Sequence, residues 1–206
     1  KVFGWMALAL GITAVVSMLT IQTGLFRPIL SNSIIFFGLI IGELAMVWIL
    51  SGKIQSMELG TAKLLFFSYS AINGLTFSAI FIAYTGTSIV STFTITAGIF
   101  GFMAIYGYST DQDLTSFGSY ALMGIVGLII ASIVNIFLQS SMLYWIITYA
   151  GVIIFTGLVA YDTQKIKRMV QNGTASDKVA VLGALSLYLD FINLFIYLLR
   201  IFGKKK

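Results

Sequence analysis

Three carboxylates stand where carboxylates are expensive. Glu43 lies inside the apolar run 34–50, with no basic residue one turn away. Asp190 lies in the middle of the run 179–202, and Asp162 closes the run 142–161 in Ala160-Tyr161-Asp162-Thr163-Gln164-Lys165. An ionisable group inside an apolar span is costly and needs a cavity, a partner or a proton. It marks an ion path or a proton site, or else a protonated acid hydrogen-bonded to a neighbouring helix. At about 100° per residue, Ser186, Asn193 and Tyr197 fall within about 60° of Asp190, and Arg200 about 80° away, so one polar stripe marks an otherwise apolar helix. Asp190 and Arg200 are about 15 Å apart along such a helix and cannot pair directly. Arg200 reaches another helix or snorkels to the interface. On spacing alone Asp162 is equally a boundary acid paired with Lys165 at i+3. Asp111 and Asp113 read as solvated loop acids.

The elements that carry these residues follow from composition. Of 206 residues, 59% are hydrophobic and only 9% charged. A soluble domain is about a quarter charged, so there is too little polar surface here for a water-soluble globule or a soluble enzyme. With 17 Phe and 10 Tyr the chain is not disordered either. What remains is an all-α polytopic membrane protein, one seven-helix domain over 1–206, with approximate spans 2–23, 34–50, 62–84, 88–108, 117–138, 142–161 and 179–202. Lipid cannot satisfy free backbone groups, and no alternating strand pattern is present, so the spans are helices. Residues 2–19 read as a span, not a signal peptide. The stretch Arg27-Pro28 closes the first span, and the lysines and arginine after Tyr161 read as loop.

The absence of Cys and His removes thiol chemistry, disulfides and His-based metal sites or triads. The net charge of +5 is loop charge that orients the chain, and no nucleic-acid partner is expected. With a cytoplasmic N-terminus and seven spans, Lys1, Lys53, Lys63, Lys165, Lys167, Arg168 and Lys178 lie inside, against Arg27, Arg200, Lys204, Lys205 and Lys206 outside. A re-entrant last segment would sharpen that bias. The length of 179–202 favours a full span, which is the expectation taken here. Gly38-x-x-x-Gly42 and the later glycines suggest close helix packing.

Three stretches resemble the Bax inhibitor-1 family, also called the transmembrane Bax inhibitor motif family. They are Tyr106-Gly107-Tyr108-Ser109-Thr110 through Asp113-Leu114-Thr115 with Ala131–Phe137; Ala160–Ile166; and Ala184-Leu185-Ser186-Leu187-Tyr188-Leu189-Asp190-Phe191-Ile192-Asn193-Leu194-Phe195 with Leu198-Leu199-Arg200. The resemblance covers essentially the whole chain. Asp111 departs from it, at a position where the family often has a basic residue. The compact form is similar to bacterial members, so a bacterial inner membrane is the expected location.

The resemblance implies six helices wrapped around a central C-terminal one, and a pH-sensitive calcium leak. It maps a proton-sharing, weakly calcium-binding pair onto Asp162 and Asp190. It maps a pore acid onto Glu43 and a terminal arginine, as dyad or gate partner, onto Arg200. Asn193 joins the ion path as an oxygen donor. No cofactor is tightly bound; calcium is the permeant or weakly held ion, and the partners are lipid, calcium and protons. Two carboxylates in low dielectric share one proton and titrate as a unit. Calcium takes 6–8 oxygens, so two or three acids give a weak site, which suits permeation. Other classes remain beside this one. They are a regulatory membrane protein acting through protein partners, and a proton-coupled cation exchanger. An intramembrane aspartyl protease is disfavoured, because Leu187-Tyr188-Leu189-Asp190 stands where Gly-x-Gly-Asp is needed.

Overall fold

In the computed structural model, residues 1–173 and 176–206 are described. Eight helices follow one another: α1 (Val2–Gln22), α2 (Phe26–Ser31), α3 (Ser33–Lys53), α4 (Leu59–Ala83), α5 (Gly86–Ser109), α6 (Thr115–Leu138), α7 (Ser141–Gln171) and α8 (Asp177–Phe202). All but α2 are long and apolar enough to cross a membrane, so the seven expected spans are present as helices. The chain is a multi-pass membrane protein whose lipid-facing side chains, such as Trp48 and Phe137, are bare.

Two boundaries differ from the sequence reading in a way that matters. The sixth span does not stop at Tyr161; α7 runs on to Gln171, so Asp162 lies within a helix and not at its end. The extra turns are polar, and their side chains are bound by the loop between α5 and α6, as described below. Arg27-Pro28 closes the first span as expected, yet it also begins α2. Proline is tolerated in a first helical turn because its missing N–H has no partner there. Side-chain caps explain the starts of α3 and α7. Asn32 accepts from the N–H groups of Ile34 (3.0 Å) and Ile35 (3.4 Å), and Ser140 from Leu143 (3.3 Å).

The helices fall into two compact units. The first holds α1 to α4, α8 as far as Tyr188, and the last two residues. Within it, α1 and α4 approach closely: Gly74 has no room for a Cβ against the Thr13 carbonyl and Val16. Lys1 pairs with Asp177 (2.9 Å) and Lys178 donates to the Gln55 carbonyl (3.1 Å), so the N-terminus, the α3–α4 loop and the start of α8 share one end. At the other end, Lys205 pairs with Tyr84, and the Lys206 N–H donates to the Ala83 carbonyl (3.0 Å). The last helix therefore runs from one end of α4 to the other, as a full span requires and a re-entrant segment would not.

The second unit holds α5 to α7 and α8 from Leu189. Gly107 of α5 lies directly on the Ala160 backbone of α7, and Gly118 and Gly157 sit against the rings of Tyr161 and Phe117. Phe93 and Phe100 of α5 both pack on Phe191 of α8, at 5.2 and 5.5 Å between centroids. Gly38 and Gly42, expected as a packing face, have no described atom within 4 Å of a Cβ position. Their side of α3 is open, and only 6% of that helix's apolar window is buried, against 61% for α8.

Candidate functional site

In the first unit, Glu43 is half-buried on α3 and receives one donor on each carboxylate oxygen, both from α4. Thr76 Oγ1 donates to Oε1 (2.9 Å) and Asn73 Nδ2 to Oε2 (3.2 Å). Tyr188 Oη of α8 donates to Asn73 Oδ1 (3.2 Å) and lies 2.6 Å from Thr13 Oγ1 of α1. Thr13 in turn reaches the Ser70 carbonyl (2.9 Å). The two described ion pairs, Lys1–Asp177 and Arg168–Asp113, do not involve Glu43. Its charge is met by hydrogen-bond donors, not by a cation. Sequence reasoning found Glu43 and missed Asn73, Thr76, Tyr188 and Thr13. The available signal was an amide, Asn73, inside the apolar run 62–84.

In the second unit, Asp162 of α7 and Asp190 of α8 stand within side-chain hydrogen-bonding distance. Two ionised carboxylates are acceptors only, so such a contact exists only with a proton between them. Asp190 is 5% exposed, and its Oδ2 has no other described partner. Thr163, next to Asp162, likewise has a buried Oγ1 with no described partner. Lys165 is the charged neighbour that acts on Asp162. Asn193 turns its amide back onto the Leu189 carbonyl (2.8 Å).

Arg200 is not brought to the pair. Its guanidinium lies over the rings of Tyr197 (5.0 Å) and Tyr144 (5.5 Å), a cation–π arrangement three turns from Asp190. The reason is the one the helix geometry gives: the rise per residue separates the two along α8.

The α7 segment carrying Asp162 is strapped to the loop between α5 and α6. Buried Gln164 donates to the Gln112 carbonyl (2.7 Å) and accepts from the Leu114 N–H (3.0 Å). Lys167 donates to the Tyr108 carbonyl (2.6 Å), and Arg168 binds Asp113 (2.8 Å). The Asp113 carboxyl is held down at about 2, first by the Thr115 hydroxyl and N–H and then by Arg168. Asp113 is therefore not a free loop acid. Asp177 pairs with Lys1 at the start of α8, and no role beyond that contact follows from its position.

Among the described residues, no group of three or more His, Cys, Asp or Glu is placed to hold a metal ion. The oxygen donors available are therefore paired acids, amides and hydroxyls.

Comparison with known proteins places this arrangement. The family model described as inhibitor of apoptosis-promoting Bax1 matches residues 1–206. The inner membrane protein YbhL of Escherichia coli is 48% identical over 212 residues, covering all of this chain and 91% of the relative. An uncharacterized protein of Borreliella burgdorferi is 47% identical over 211 residues, with the same coverage. One from Rickettsia prowazekii is 43% identical over 211 residues, covering 100% of this chain and 89% of the relative. With a match from end to end and seven membrane-crossing helices, the chain belongs to the Bax inhibitor family.

Proposed function

We propose that the protein is a pH-sensitive calcium leak of the bacterial inner membrane, gated by the Asp162–Asp190 pair. The observation that carries this reading is the pair itself: two carboxyls at hydrogen-bonding distance, one of them deeply buried, with Oδ2 lacking any other described partner. A shared proton ties α7 to α8. Removing it leaves two like charges that repel and that together attract a divalent cation. That is a two-state element biased by pH, built from acids where other proteins use histidine. Two carboxylates with amide and hydroxyl oxygens are few ligands for calcium, and weak binding favours passage over storage. Glu43 supplies a second carboxylate station, Asn193 a further oxygen, and neither a tightly bound cofactor nor a catalytic step enters. Location in the inner membrane is supported by the name of the Escherichia coli relative.

The test is calcium flux against pH in proteoliposomes of the purified protein. Flux rises with pH in the parent, and Asp190→Asn flattens the curve because the shared proton is gone. Parallel curves for the two proteins would remove the pair as the sensor. The family description, inhibition of an apoptosis-promoting protein, favours a second reading: a regulator acting through protein partners. Liposomes that pass no calcium, at any pH, would favour that one.

A further inference from the structure

Glu43 is held by two donors of different kinds. Thr76 offers a hydroxyl, which rotates to suit its acceptor. Asn73 offers an amide, which can face the carboxylate with either of its two nearly isosteric ends. The NH₂ end donates to a carboxylate, and the carbonyl end repels it. What selects the end facing Glu43 is the group on the far side of the amide, and that group is Tyr188, whose Oη lies 3.2 Å from Asn73 Oδ1.

Tyr188 is well placed to impose that choice. It is 0% exposed, and its ring meets Phe66 (6.0 Å) and Tyr69 (5.7 Å) edge-on, which fixes the phenol. Its oxygen lies 2.6 Å from Thr13 Oγ1. A phenol has one hydrogen. Thr13 also has one hydrogen, with the Ser70 (2.9 Å) and Ala9 (3.1 Å) carbonyls in reach. Those carbonyls accept helical N–H groups, so when Thr13 donates to Tyr188 the phenol hydrogen is free for Asn73 and the amide NH₂ for Glu43. Thr13, Tyr188, Asn73 and Glu43 form a chain in which each group donates to the next and the carboxylate is the final acceptor. No described ion pair reaches Glu43, so these neutral donors are its described polar partners.

We infer that Tyr188, acting through Asn73, is a positioning residue that keeps the amide NH₂ turned toward Glu43, and so fixes the geometry in which this carboxylate meets a cation. The inference rests on the reading that Glu43 lies along the ion path. Deleting the Tyr188 hydroxyl leaves the ring in place but frees the amide to turn its carbonyl to Glu43.

The experiment is infrared difference spectroscopy on the purified protein. The Glu43 carboxyl bands are those lost in Glu43→Gln, and they are followed in Tyr188→Phe, Asn73→Leu and the double variant. Ser17→Ala is the packing control: it removes a buried bond from α1 to the Gly74 carbonyl of α4 (2.8 Å) and meets the chain only at the backbone carbonyl of Thr13 (2.8 Å), leaving the Thr13 hydroxyl in place. Tyr188→Phe should shift the Glu43 bands and Ser17→Ala should not. The double variant should match Asn73→Leu alone, because Tyr188 acts only through Asn73. In proteoliposomes, the half-saturating calcium concentration should rise about threefold to tenfold in Tyr188→Phe, the worth of one lost hydrogen bond. An unshifted Glu43 band in Tyr188→Phe overturns the inference. So does a double variant that exceeds Asn73→Leu. If Asn73→Leu does not fold, Tyr188→Phe against Ser17→Ala still decides. A parent that passes no calcium sinks the leak reading, whereas the infrared comparison stands or falls independently of flux.

Discussion

In the first unit Thr13, Asn73, Thr76, Tyr188 and Glu43 each have a hydrogen-bond partner, whereas in the second Thr92 Oγ1, Thr163 Oγ1 and Asp190 Oδ2 are buried without one among the described residues. A closed network rigidifies the helices it joins. A buried polar atom left over costs stability, and proteins keep such atoms where they do something. The contrast assigns different work to two groups of buried acids. Glu43 has a donor on each oxygen, while the Asp162–Asp190 contact, if it carries the single shared proton proposed above, can be broken by removing it. The fixed station and the movable one are therefore separable by mutation.

The largest effect comes from exchanging polarity in the two places. Asn73→Leu strands a Glu43 oxygen and the Tyr188 hydroxyl, and should lower stability by about 1–3 kcal/mol. Asp190→Leu removes an oxygen with no other described partner but also breaks the contact with Asp162, so it should cost less thermal stability in detergent than Asn73→Leu while abolishing the pH response. Equal losses in the two variants would erase the contrast. Glu43→Gln comes next. The amide oxygen can still accept from Asn73 and its NH₂ can donate to the Thr76 hydroxyl, which turns to the Asn73 backbone carbonyl (2.9 Å), so melting should change little, while divalent flux falls severalfold. Flux equal to the parent's would make Glu43 a packing residue.

The Asp113 strap gives a smaller and sharper test. Its carboxyl is depressed to about 2, so the stabilisation it brings is present above the unfolded value and is lost only as pH falls through about 2. Across neutral and mildly acidic pH it stays ionised and cannot be the sensor. Asp113→Asn should shift no part of the flux–pH curve, though the loop between α5 and α6 should become easier for proteases to cut. The smallest effect belongs to Arg200→Lys. An ammonium stacks on Tyr144 and Tyr197 less well than a guanidinium, at a cost of about 0.5–1 kcal/mol in melting. The flux–pH midpoint should not move; a moved midpoint would place Arg200 at the aspartate pair after all.

The spans were legible because lipid leaves a chain so little choice. What was not legible was where polarity ends a span and where it does not. Gln164, Lys165, Lys167 and Arg168 look like loop, yet all are good helix formers. Three of them are held by Tyr108, Gln112, Asp113 and Leu114, some 50 residues earlier, so α7 continues. Local reading cannot see partners at that distance. The same limit hid the chain from Thr13 to Glu43, where Tyr188 and Asn73 are 115 residues apart. Glu43 and Asp190 stood out by themselves, as charge inside apolar runs. That Asp162 belongs beside Asp190, and not only beside Lys165, followed from the resemblance and not from spacing.

The length of α7 has a consequence for the membrane potential. Tyr144 lies edge-on to Trp145, which stacks on Tyr149; these aromatics mark a belt near the start of α7, and Lys165 opens the basic stretch near its end. Those markers are 20 residues, about 30 Å, apart, which is the thickness of the hydrocarbon layer. Asp162 lies three residues inside that basic edge, but its partner Asp190 lies twelve residues, about 18 Å, beyond Lys178 on α8, so a proton reaching the pair from that side would cross between about a sixth and about half of the electric field. A full crossing is worth about 2.3 kcal/mol per 100 mV, and this one between a few tenths and about 1 kcal/mol. A proton-sharing pair at that depth would thus follow the acidity of the compartment facing the basic edge of α7, with the membrane potential as a second influence on it.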